Sequence, residues 1–69
     1  MPGTYLLEAS NGNIQVELEK TDGDTHVYKL HEGEKGKIIL MESGDVLRAV
    51  SAQNRYSYVN LYLIEQSDE

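Results

Sequence analysis

The sequence predicts an all-β domain of five or six short antiparallel strands, arranged as a meander or curled into a small barrel. Three observations carry that expectation. Apolar and polar residues alternate without error through Asn13-Ile14-Gln15-Val16-Glu17-Leu18-Glu19, the period of a half-buried strand. Turn-forming residues recur every eight to ten positions or so, roughly the spacing of small all-β folds. The one proline, Pro2, lies ahead of every predicted strand, so it interrupts no ladder.

The first strand is Thr4-Tyr5-Leu6-Leu7-Glu8-Ala9. Asn11-Gly12 joins it to the alternating segment, and both residues tolerate the positive φ of a tight hairpin turn, so these two strands are expected to pair. Thr21-Asp22-Gly23-Asp24 is the next turn. It leads into Thr25-His26-Val27-Tyr28-Lys29-Leu30, whose β-branched and aromatic residues favour a third strand. A loop follows at Glu32-Gly33-Glu34-Lys35-Gly36, where glycine and alternating charge break the pattern. Lys37-Ile38-Ile39-Leu40-Met41 is nearly all apolar and reads as a central strand buried on both faces.

Residues 43–54 admit two readings. Glu42-Ser43-Gly44-Asp45 fits a turn with Gly44 in the left-handed position, which makes the following segment, Val46 to Ser51, a returning strand. Yet Val46, Leu47, Ala49 and Val50 also form a helical stripe, with Ser43 as a candidate N-cap. A helix over about 44–54 would make the fold α+β. The strand is preferred, because Gly44 is a poor first-turn residue for a helix. The last strand is Tyr56-Ser57-Tyr58-Val59-Asn60-Leu61-Tyr62-Leu63-Ile64, with Val59, Leu61 and Leu63 on one face and the tyrosines on the other. Residues 1–65 are read as one domain and 66–69 as a polar, frayed tail. The core expected from this pattern is Leu6, Ile14, Val16, Leu18, Val27, Ile39, Leu40, Leu47, Val59, Leu61 and Leu63.

Composition narrows the function classes. A 69-residue chain supports one core near the lower limit of independent stability. It has no cysteine, which removes disulfides and thiolate metal sites and suits a reducing compartment. With no signal peptide expected ahead of Thr4, the cytoplasm is the expected location. Twelve acids against six bases give a net charge of −6, and the charge is uneven. Residues 1–26 hold five acids and one base, residues 27–58 four acids and five bases, and residues 59–69 three acids and no base. The acidic ends repel nucleic acid and anionic lipid.

Several constellations compete for function. Tyr56, Tyr58 and Tyr62, with Arg55 beside them, place hot-spot residue types along one strand face. In a chain lacking Phe and Trp the same rings could serve as core if the strand is central. Glu17, Glu19, Asp22 and Asp24 form an alternative acidic surface, the kind by which an inhibitor imitates nucleic acid toward a basic partner. Lys29, Lys35, Lys37, Arg48 and Arg55 interleave with Tyr28, Tyr56 and Tyr58, as single-strand nucleic-acid binders arrange such groups. That segment nets only +1, which argues against nucleic acid as a partner. Asp22, Asp24, His26, His31 and Glu32 lack the spacing of a calcium loop and are too few in imidazole for zinc. No nucleophile elbow or phosphate loop is present, so no catalytic residue, metal or cofactor is expected.

In strand count and length alone, the chain resembles small barrels of the SH3-like and OB type, which implies a fold and no function. The sequence therefore points first to a non-catalytic protein-interaction module that uses the tyrosine strand. Its partner would be another protein or a second copy of the chain. The acidic inhibitor comes second and single-strand binding third.

Overall fold

A computed structural model describes residues 2–66, and these fold entirely as strands and turns. Six strands form: β1 (Gly3–Ser10), β2 (Ile14–Glu19), β3 (Thr25–Leu30), β4 (Lys37–Met41), β5 (Val46–Ala52) and β6 (Tyr58–Gln66). They make two three-stranded antiparallel sheets, the first in the order β4-β1-β6 and the second in the order β3-β2-β5. The all-β fold is thus observed, and the segment that also reads as a helix is strand β5. No helix long and apolar enough to cross a membrane exists among the described residues. The last strand starts at Tyr58 rather than Tyr56 and continues through Gln66, so Gln66 belongs to the sheet. The rest of the expected tail, residues 67–69, lies outside the described residues.

Only β2 and β3 are both consecutive and paired. The hairpin expected at Asn11-Gly12 does not form. β1 pairs with β4 and β6, while β2 pairs with β3 and β5. The local chemistry was nevertheless legible, since Asn11 and Gly12 both take positive φ, 60° and 119°. The β5–β6 loop decides where the corner leads. The Asn11 carbonyl accepts hydrogen bonds from Asn54 Nδ2 (3.0 Å) and Ser57 Oγ (2.8 Å). The Gln53 amide donates to the Asn13 carbonyl at 2.8 Å, and the Asn13 amide donates to Gln53 Oε1 at 2.9 Å. These bonds draw β2 toward β5, and the corner passes from one sheet to the other.

Inner faces follow from the registers. Tyr5 and Leu7 of β1 and Ile39 of β4 meet Ile14, Val16 and Leu18 of β2 and Leu30 of β3 in one buried cluster. A second point of closure is polar. Lys20 and Asp45 form an ion pair, and Lys20 Nζ also lies 2.9 Å from a Glu42 carboxylate oxygen. The Asp45 carboxylate accepts further hydrogen bonds from the amides of Glu42 (2.8 Å) and Thr21 (3.3 Å). The turn expected at residues 42–45 is present, with the Asp45 amide donating to the Glu42 carbonyl at 3.0 Å and Gly44 at φ 89°. But β5 does not return on β4: the turn carries the chain from the first sheet to the second, where β5 pairs with β2.

Leu47 and Val59, both expected in the core, are half-buried and pack against it. Five other expected residues stand outside the buried cluster. Leu6 is half-buried and faces away from the second sheet, because its neighbours Tyr5 and Leu7 take the inner phase. Val27 is exposed because the β2–β3 register pairs it with Glu17 and gives Tyr28 and Leu30 the inner side. Leu40 is exposed because β4 is an edge strand with one face covered. Leu61 and Leu63 do point inward, paired with Leu7 and Tyr5, but remain 50% and 46% exposed. The sandwich is closed where β3 and β4 flank it and open between β5 and β6.

Candidate interaction surface

Strand alternation sorts the first sheet into two faces. Tyr5, Leu7 and Ile39 point inward, so Thr4, Leu6 and Glu8 of β1 and Ile38 and Leu40 of β4 point outward. Across the other ladder, Leu6 pairs with Tyr62, Glu8 with Asn60 and Ser10 with Tyr58, which puts those β6 residues on the same outer face. No other described element covers it. Ile38 is 66% exposed and Leu40 57%, with Tyr58 and Tyr62 near half exposure. Leu6 lies between Ile38 and Tyr62 in register, so the apolar side chains run across all three strands.

Two polar side chains on this face, Asn60 and Ser10, bond to each other, with Asn60 Nδ2 donating to Ser10 Oγ at 2.7 Å. Glu8 is the only charged residue of β1. The face therefore presents aliphatic groups, two phenol rings and two carboxylates, Glu8 on its central strand and Glu65 opposite Thr4 at its end.

Arg55 and Tyr56 lie in the loop before β6 and form a local pair. Arg55 Nη2 donates to Tyr56 Oη at 2.8 Å, and the guanidinium carbon sits 5.0 Å from the ring centroid. The Tyr56 amide donates to Asn54 Oδ1 at 2.8 Å, which fixes the loop. The four expected residues thus split into two on the sheet face and two on the preceding loop. Leu6, Ile38 and Leu40 complete the face, and sequence reasoning placed Leu6 and Leu40 in the core instead. The usable signal was Ile38 and Leu40 alternating with Ile39 in a short strand.

The alternative acidic residues lie on the second sheet and its hairpin turn. Glu17 and Glu19 are half-buried on the outer face of β2. Glu19 is ion-paired with Arg48. Asp22 and Asp24 are exposed in the β2–β3 turn, where Asp22 Oδ1 accepts the Asp24 amide at 3.0 Å. The cations of the middle segment are dispersed. Lys29 lies on β3, Lys35 in the next loop, Lys37 on β4, Arg48 on β5 and Arg55 in the last loop. Among the described residues no group of three or more His, Asp or Glu side chains is placed to hold a metal.

Among the described residues two titratable groups are displaced from their ordinary values, and both belong to the ion pair that links the two turns. The Lys20 amine is raised, by hydrogen bonds to Asp45 and then Glu42. The Asp45 carboxyl is lowered, chiefly by Lys20 and then by the Glu42 amide. Each perturbation favours the charged form, which describes a structural clasp rather than a proton-transfer group.

No protein-family model, curated protein or solved structure matches the chain.

Proposed function

We propose that the chain is a small non-catalytic protein-interaction module that docks through the outer face of its first sheet. The observation that carries this reading is the apolar outer face itself, with Leu6, Ile38, Leu40, Tyr58 and Tyr62 shared by three neighbouring strands. Contiguous exposed apolar surface on a small domain marks an interaction site, whereas single scattered residues do not. Tyrosine suits such a site because each ring contributes a large area and keeps a hydroxyl for the partner. The partner surface is expected to be mainly apolar and to tolerate one carboxylate at its centre. Arg55 and Tyr56 supply a cationic and aromatic rim at the β6 end. The lack of cysteine fits action in a reducing compartment such as the cytoplasm.

Substitution of the exposed rings tests this reading. Tyr58→Ala should weaken capture of the partner at least tenfold while leaving the thermal midpoint close to that of the parent, since the ring is half in solvent. A variant that binds normally would dismiss the face.

A second reading is an acidic inhibitor of a basic protein. It draws support from Glu17, Asp22 and Asp24, none of which has an ion-pair partner among the described residues. Binding of that kind should fade as salt shortens the screening length, whereas docking on the apolar face should persist.

A further inference from the structure

We infer that two copies of this chain pair antiparallel along the free edge of β6, forming one continuous sheet in the order β4-β1-β6-β6-β1-β4. Three observations point there. The first is the pair of leucines that faces inward yet stays in solvent. Leu61 and Leu63 lie on the core side of the first sheet, opposite Leu7 and Tyr5, at 50% and 46% exposure. Beside them runs an apolar cleft of about 320 Å³, floored by Ile14 and Val16 and walled by Leu47, Ala49, Val59 and Leu61. The core is therefore unfinished on one side, where neither β5 nor β6 has a second strand neighbour among the described residues.

The second observation is the edge itself. β6 is the longest strand, nine residues, and carries no charge from Tyr58 to Ile64. Sheet edges exposed to solvent are ordinarily protected by lysine, proline, bulges or covering loops. The one irregularity in the β1–β6 ladder steps β6 from Leu63 to Glu65 against Tyr5 and Thr4, so Ile64 is the extra residue of a bulge, and the stretch from Tyr58 to Leu63 is regular.

The third concerns which occupant fits. A two-fold axis at Tyr62 sets Leu61 beside Leu63 of the partner subunit, and Leu63 beside Leu61 of the partner subunit. Glu65, the one carboxylate of β6, lies beyond the bulge and away from the axis at Tyr62, so it does not meet its own copy. The axis stands perpendicular to the sheet, so both leucine pairs stay on the inner side and fill a shared strip between the two clefts. The area suits a reversible dimer. A nine-residue edge about 30 Å long, on a molecule whose smallest extent is 15 Å, offers at most roughly 450 Å² per chain, below the ~800 Å² per partner of a stable interface, which fits a weak dimer. Because each chain carries −6, added salt should tighten the dimer by screening mutual repulsion.

This pairing uses the edge and inner side of β6 and shares with the proposed docking face the axis residue Tyr62, so the two readings are separated by Leu61 and Leu63, which lie off the docking face, and by Leu40, which lies off the β6 edge. Sedimentation equilibrium of the full chain over a range of concentration and salt is the test. The expected result is a monomer–dimer equilibrium that shifts toward dimer at high salt, with β6 amides gaining protection from hydrogen exchange as dimer forms. Leu61→Lys and Leu63→Glu are each expected to weaken the dimer at least tenfold while circular dichroism remains that of the parent. Mixed at low salt, the two variants should recover a dimer, because the ammonium introduced in one chain then meets the carboxylate introduced in the other. A parent chain that stays monomeric at every concentration overturns the inference. So does a dimer whose β6 amides exchange as freely as in the monomer, a result that needs no variant to fold.

Discussion

Lys20 and Asp45, twenty-five residues apart, form an ion pair that ties the β2–β3 turn to the start of β5. The Asp45 side chain is fully covered, and the Lys20 side chain is only 15% exposed. A covered carboxylate needs its partners, and here Lys20 and the amides of Glu42 and Thr21 provide them. Removing the lysine would leave that charge unpaired, which is worse than removing both groups together. Lys20→Met is therefore expected to lower the thermal midpoint by several degrees. Adding Asp45→Leu to it should recover part of the loss, and differential scanning calorimetry of the two variants checks this.

The same pair sets a pH dependence with a definite sign. Asp45 titrates below its ordinary 3.8 in the folded chain, so its contribution is complete above that value and is lost as pH falls through the lowered one. Lys20 titrates above its ordinary 10.5, so its contribution is complete below that value and is lost as pH rises through the raised one. Between these limits the pair adds no slope. Urea midpoints of the parent and Asp45→Asn should differ by a constant amount from about pH 5 to about pH 9, and converge in strong acid.

The Glu19–Arg48 pair is the contrast. Both side chains are about half exposed, 46% and 55%, and each already has water as an alternative partner. Glu19→Gln should change unfolding free energy by no more than about 1 kcal/mol, and less in high salt. Urea denaturation at two salt concentrations measures it.

Core and outer-face leucines should separate cleanly. Leu7 is wholly buried, and Leu7→Ala is expected to destabilise by about 3 kcal/mol, a large part of the stability of so small a domain. Leu40 is 57% exposed, and Leu40→Ser should stay within about 0.5 kcal/mol. The same denaturation experiment compares the two.

Gly12 tests the corner that sends β2 to the other sheet. A Cβ there would lie 2.7 Å from Ser57 Oγ, on a backbone with φ at 119°. Gly12→Ala is expected to cost about 1–3 kcal/mol through strain and displacement of Ser57. Hydrogen exchange should show the loss concentrated in the β5–β6 loop.

These contrasts also show where the sequence was legible. In β2 the alternation is unambiguous, and Ile14, Val16 and Leu18 are all buried as expected. In β1 the run Tyr5-Leu6-Leu7 is apolar in both phases, so periodicity could not choose the inner residues. In β4 the run Ile38-Ile39-Leu40-Met41 reads as doubly buried. It is instead an edge strand whose outer side helps build the candidate site. The Asn11-Gly12 error has a deeper cause. A hairpin would put Leu7 and Val16 on one face of a single sheet, and the observed corner sets them facing across two. Both arrangements bury the same side chains, so hydrophobic patterning cannot separate them. The groups that hold the observed corner are distant in sequence: Gln53, Asn54 and Ser57, about forty residues or more away, and the Glu32 amide, which donates to Asn13 Oδ1.

The most direct test of the account is capture from a lysate on two immobilised proteins side by side, the parent and the doubly substituted Tyr58→Ala/Tyr62→Ala chain, washed in low and then high salt. The expected result is a protein held by the parent through the high-salt wash and absent from the double variant, whose melting curve matches the parent. A protein held equally by both, or one released from the parent by salt, would contradict docking on the outer face of the first sheet.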